Sequence, residues 1–261
     1  MRLIDTHCHL DFPVLRDTID DVLSRARRQG VQQFVVPGVQ RSNWQSVLEL
    51  CAAKSGLYPA LGLHPCFLQQ DHADDLKLLE SLLRQHPELV AVGEIGLDLF
   101  IPDADLEHQL EVLVPQLELA KQFNKPVLLH IRKAHDQMLR QLRRLKLPRG
   151  GFVHAFSGSE QQAKIYLDLG FKLGIGGSVT YERARKLRQL VSNLPLESFV
   201  LETDSPDMPL SGYQGEVNFP ERTELVAQAL AELREESMEK IAAVTSATAA
   251  EILGVQNSLS L

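Results

Sequence analysis

The chain has 261 residues, 44% of them hydrophobic, and 27 basic against 34 acidic side chains give a formal charge of −7. That length is close to the ~250 residues of one α/β barrel and is ample for a large core, while the acidic balance argues against a Lys/Arg stripe that grips long duplexes. It leaves open a phosphate-bearing substrate, because bound divalent cations invert the local field.

In chain order, short apolar runs alternate with stretches of helical period. The runs cover residues 3–6, 33–36, 58–63, 89–95, 126–131, 151–156, 171–176 and 199–203. After the first, residues 18–29 predict a helix, with Asp17 placed to cap its start and Gly30 to end it. After the fourth, Leu106, Leu110, Leu113, Leu117 and Ala120 step by four, three, four and three, one apolar face of a 3.6-residue period. No low-complexity stretch or Ser/Gly linker divides the chain, so residues 1–261 read as a single domain. Eight strand–helix units imply an α/β fold with parallel strands, right-handed crossovers and outer helices. At this length they favour closure into a (β/α)8 TIM barrel over an open doubly wound sheet, and no GxGxxG follows the first run to support a dinucleotide fold.

Cys8, Cys51 and Cys66 form no CxxC pair and no even-numbered framework, which fits a reducing compartment. The opening MRLIDTHCHL has no apolar h-region, and no run approaches the ~18 residues of a membrane span. A soluble, cytoplasmic chain with no membrane association is expected, and nothing indicates an obligate protein partner.

The polar residues at the ends of these runs carry the chemistry. His7 and His9 flank Cys8, and strand alternation turns both imidazoles to one face. Glu94 falls at the end of the fourth run, His130 of the fifth, His154 late in the sixth, and Asp204 just after the eighth. A lone H-x-H is a weak signal, but six nitrogen and oxygen ligands at equivalent ends of five strands predict a metal centre at the C-terminal mouth. Imidazole with carboxylate and no thiolate suits Zn, Mn, Fe or Ni, whereas Mg prefers oxygen shells. Four histidines and two carboxylates exceed the needs of one open zinc site, so two divalent cations per subunit are expected. His64, after the third run, is placed to touch substrate or to stabilise developing charge, and without a same-face partner it is not expected to be a ligand. His72, His86, His108 and His135 sit among charged residues and are expected to be solvated. Asp5 and Glu202 stand two residues before His7 and Asp204, on the same face, where each is expected to orient a ligating imidazole.

Together, LIDTHCHLD at 3–11, GLHP at 62–65, GEIGLD at 93–98, PVLLHIRKAHD at 126–136, HAFSGS at 154–159 and ETDSP at 202–206 resemble the TatD family of metal-dependent deoxyribonucleases, within the amidohydrolase-like superfamily, and its YjjV-type branch. The resemblance spans almost the whole chain. It implies that His7, His9 and Asp204 bind one cation, that His130 and His154 bind a second, and that Glu94 bridges them. It also implies hydrolysis of DNA phosphodiesters by a metal-activated hydroxide, in the manner of a 3′-5′ exonuclease. Asp204 and Glu94 would be its catalytic carboxylates, with Zn, Mn, Fe, Ni or Mg as the metal. Leu99-Phe100 stands where the family usually has an aromatic directly after GLD, and Asp207-Met208 where it often has an aromatic and Leu; both bear on substrate preference.

Arg132, two residues beyond His130, is a candidate contact for a phosphate oxygen, with a surface Arg at a helix start as the alternative. Two rival functions remain: a small-molecule amidohydrolase, esterase or phosphoesterase of the same fold, and a non-catalytic metal-binding protein. Trp44 is the only Trp, and no base-stacking platform is evident in the sequence.

Overall fold

A computed structural model describes residues 1–68 and 71–256. All eight apolar runs are strands: β1 (Leu3–Asp5), β2 (Val31–Pro37), β3 (Leu57–Leu61), β4 (Ala91–Asp98), β5 (Val127–Arg132), β6 (Gly151–Val153), β7 (Phe171–Ile175) and β8 (Phe199–Leu201). They pair in parallel, each with the next in sequence, and helices lie outside them, so the fold is the (β/α)8 barrel. The ring is drawn together beyond the ends of β1 and β8. Thr6 N–H donates to the Leu201 carbonyl at 2.9 Å, Asp204 N–H to His7 at 2.9 Å, and His9 N–H to Ser205 at 2.7 Å. The closing seam therefore runs through three residues expected at the metal centre.

The helix after β1 spans Ile19–Arg28 and buries Val22, Leu23 and Ala26. Gly30 follows its end with φ +89°, as expected, because that conformation is strained for any residue with a Cβ. Asp17 does not cap its start. It ends the preceding turn, Pro13–Arg16, in a right-handed helical conformation that an N-cap residue does not adopt. The helix Leu106–Gln122 buries Leu113, Leu117 and Ala120 on the expected face. No helix among the described residues is long and apolar enough to cross a membrane.

Two apolar clusters fill the molecule. The larger lies largely between strands and helices; the smaller joins Ile4, Val35, Leu128, Phe152 and Val200 to Ala249, Ala250 and Leu253 of the helix Met238–Leu253. Leu128, Phe152 and Val200 share strand parity with His130, His154 and Glu202 two residues on, so the smaller cluster is the dry layer beneath the polar site.

β4 runs three residues past its expected end at 95. Gly96 looks like a strand terminator in sequence, yet it pairs with His130 on β5. A Cβ there would meet the His130 carbonyl oxygen at 1.8 Å, so glycine is what lets the two backbones approach. Gly96→Ala is expected to lower the thermal midpoint by roughly 5 °C or more, since strands must part to admit a methyl group. Circular-dichroism melting checks this, and an unchanged midpoint would mean that the β4–β5 gap opens freely.

Candidate metal centre

The six residues expected to bind metal come together through two carboxylates. Glu94 Oε2 lies 3.1 Å from His7 Nε2 and 3.6 Å from His9 Nε2. Asp204 Oδ1 lies 3.8 Å and 3.5 Å from the same two nitrogens. Four ligand atoms at the corners of a tetrahedron, each ~2.1 Å from its centre, stand about 3.4 Å apart, so this group has the dimensions of one cation's shell. The other Glu94 oxygen, Oε1, faces His130 Nδ1 at 3.2 Å. His154 Nε2 reaches Asp204 Oδ1 at 3.5 Å. Glu94 thus offers one oxygen to each side, while His154 joins the cluster through Asp204.

Tautomers strengthen the fit. His9 Nδ1 is 3.3 Å from the Pro37 carbonyl oxygen, and His130 Nε2 is 2.9 Å from Asp98 Oδ2. An N–H directed at each of those acceptors leaves the other ring nitrogen as a bare lone pair aimed at a carboxylate. Two lone pairs facing each other repel unless a proton or a metal ion stands between them.

The electrostatics carry the same demand for positive charge. Burial alone would raise the Glu94 carboxyl, but His7, His64 and His130 hold it well below the usual range. Asp204 is likewise lowered, with His154 and His9 overcoming burial. Burial pulls His130 down, yet its bonds to Asp98 and Glu94 lift it to about 9. A proton can serve on His130, and a divalent cation held there would displace it, so binding would strengthen as pH rises toward about 9 at that residue.

His64 belongs to the cluster in a different role. Its Nδ1 accepts the Cys66 N–H at 3.1 Å, so Nε2 carries the proton and faces Glu94 Oε1 at 3.4 Å. It has no lone pair left for a metal and instead steadies Glu94. The nearby Cys66 thiol is pushed up to about 12 by burial and Asp98, and stays protonated. Arg132 ends β5 rather than starting a helix, and its guanidinium stacks 3.8 Å over the Phe100 ring. Phe67 and Phe100 are exposed beyond the ends of β3 and β4, so aromatic surface does flank the site where none was evident in the sequence.

Sequence reasoning missed Asp98, which lies four residues beyond Glu94 on the same strand face. Burial would raise its carboxyl, but His130 and the Phe100 N–H hold it at about 2. Asp98→Asn keeps the shape and removes the charge that orients and polarises His130. A loss of roughly 10–100-fold in cation affinity is expected, measured by chelator competition; an unchanged affinity would leave Asp98 only the loop it also pins.

Glu202 lies beside His154 as expected, and its Oε1 accepts the Ala155 N–H at 2.6 Å. Asp5 does not orient an imidazole. It accepts the backbone N–H groups of His7 and Thr203, each at 3.1 Å, and the Thr203 hydroxyl at 2.6 Å, tying the ends of β1 and β8 together. His72 and His135 are not solvated either. His72 is buried with Nδ1 3.4 Å from Asp75, and His135 packs against Tyr166, where burial lowers it to about 4. Both flank a helix start that docks on a neighbouring helix, a placement set by tertiary packing. His86 and His108 are half-exposed.

A sequence profile described as TatD related DNase matches residues 4–254. A metal-dependent hydrolase of Escherichia coli, YjjV, is 48% identical over 92% of this chain and 93% of its own length. A metal-dependent hydrolase of Haemophilus influenzae is 42% identical over 97% of this chain and 99% of its own. The crystal structure of the Escherichia coli protein, a TatD homologue, superposes with a TM-score of 0.95, covering 98% of this chain and 99% of that one.

Proposed function

The chain belongs to the TatD related DNase family and is a metal-dependent hydrolase; from that premise we propose that it cleaves phosphodiester bonds of DNA, as a 3′-5′ exonuclease. In this reading His7, His9 and Asp204 would hold one divalent cation and His130 and His154 a second, with Glu94 available to both, the metals being Zn, Mn, Fe, Ni or Mg. The observation that carries it is the convergence of Glu94 and Asp204 on four imidazole nitrogens at 3.1–3.8 Å, beside a cavity lined by Arg132.

When bound, such cations supply Lewis acidity toward a phosphoryl oxygen and a nucleophile at neutral pH. Asp204, ionised and partly open to the cavity, accepts the proton of the attacking water and passes it to the leaving oxygen. Arg132 contacts a phosphate oxygen, its plane already fixed by Phe100, which lowers the ordering cost of a two-pronged hydrogen bond. His64 holds Glu94 in place beneath the substrate.

The test is a 5′-labelled oligothymidylate incubated with protein loaded in turn with each metal. Progressive shortening of the labelled strand is expected. Turnover of p-nitrophenyl carboxylic esters with no cleavage of DNA would favour a small-molecule hydrolase instead, and no turnover with any metal would favour a non-catalytic metal binder.

A further inference from the structure

A cavity of about 830 Å³ opens beside the site, with His130, His154 and Asp204 in its lining. Arg132 lines it from the end of β5, and Arg183, Arg185 and Lys186 line it from the start of the helix Arg185–Asn193. All four basic side chains are exposed, and none forms an ion pair among the described residues. Some basic groups elsewhere do find carboxylates, as Arg25 with Asp21, Arg41 with Asp75 and Lys54 with Asp20; these four do not, and they line one cavity. Four unneutralised cations converging on one cavity repel one another, and an anion relieves that repulsion. Arg183 is also positioned in advance. Its guanidinium lies 4.8 Å over the Tyr181 ring, and Tyr181 is fixed by its hydroxyl donating to the Pro209 carbonyl at 2.8 Å.

We infer that Arg183, Arg185 and Lys186 form a subsite for a second phosphate, the one next along the strand from the phosphate being cut. The inference rests on the phosphodiesterase reading above and assigns its substrate class: a single strand carrying at least two neighbouring phosphates, rather than an isolated diester. Arg132 serves the scissile phosphate, and the three cations across the cavity hold the strand that continues from it. The helix start adds peptide N–H groups to the same wall, but the guanidinium and ammonium groups carry the recognition.

The experiment compares the wild type with the triple variant Arg183→Gln, Arg185→Gln, Lys186→Gln, all three being exposed positions. For metal-loaded protein, the ratio of kcat/KM on oligothymidylate to kcat/KM on bis(p-nitrophenyl) phosphate should fall about tenfold or more, mainly through KM. Fluorescence anisotropy with labelled oligothymidylate supplies the second readout. The slope of log Kd against log salt should become shallower by roughly 2 when three phosphate-neutralising charges are removed. An unchanged ratio with an unchanged slope overturns the subsite, as does an equal loss on both substrates. Should the wild type cleave neither diester while its salt slope still flattens in the variant, the hydrolysis reading falls and the phosphate subsite stands.

Discussion

Replacing Glu94 with Ala is expected to lower kcat/KM by roughly three to four orders of magnitude and to leave the purified protein with little bound divalent cation. Glu94 joins His7 and His9 to His130, with Oε2 toward His7 and His9 and Oε1 toward His64 and His130. Without it, four imidazoles face a cavity holding a single carboxylate, Asp204, and the charge that draws cations into a buried site is halved. Metal chemistry of this kind contributes several kcal/mol to a transition state, and each 1.36 kcal/mol is a factor of ten in rate. The barrel itself should survive, because the Glu94 backbone N–H still donates to the Gly38 carbonyl at 3.1 Å and strand pairing resumes at Ile95. Metal analysis by atomic absorption, with circular dichroism on the same sample, checks the prediction. A folded variant with full cation content and normal turnover would refute the central place of Glu94. Glu94→Gln sharpens the result, since it keeps the volume and most hydrogen bonds and should still lose the cations.

Much of this site is written in the period of the strands. His7 and His9 share a face because successive strand residues alternate; Glu94 and His130 lie within β4 and β5, while His154 and Asp204 follow the ends of β6 and β8. Parity alone would also have found Asp98, two steps beyond Gly96 on the face of Glu94. The apolar run stops at Ile95, and the glycine after it, which usually weakens a strand, here admits the His130 backbone. Other residues were beyond local pattern. The role of His64 depends on a turn that aims the Cys66 N–H at its Nδ1. Burial of His72 and His135 depends on how helices dock. Asp5 was placed on the correct side, but its partners come from Thr203 and Thr223, about two hundred residues away in sequence. Arg183, Arg185 and Lys186 are unremarkable in a charged helix start; only the folded chain shows that they line a cavity with His130, His154 and Asp204.

Asp204→Asn separates two duties that Glu94→Ala removes together. Asp204 has a left-handed backbone, φ +59°, which asparagine tolerates better than other residues with a Cβ, so the seam between β8 and β1 should hold. The Asp204 N–H still donates to His7, and an amide oxygen can still occupy the position of Oδ1 between His9 and His154. A neutral amide cannot take a proton from water. Burial raises the Asp204 carboxyl, but His154 and His9 overcome it and keep the group ionised. The expected result is a fall in kcat of roughly 10²–10⁴-fold, the contribution of a positioned general base, with KM changed far less. Cation content should drop less than in Glu94→Ala, because Glu94 and all four histidines remain. Steady-state kinetics on oligothymidylate with metal analysis reads both quantities at once. Loss of cations in proportion to loss of rate would assign Asp204 a purely structural duty. Full cations with a normal kcat would remove it from proton transfer and leave that step to another group facing the cavity.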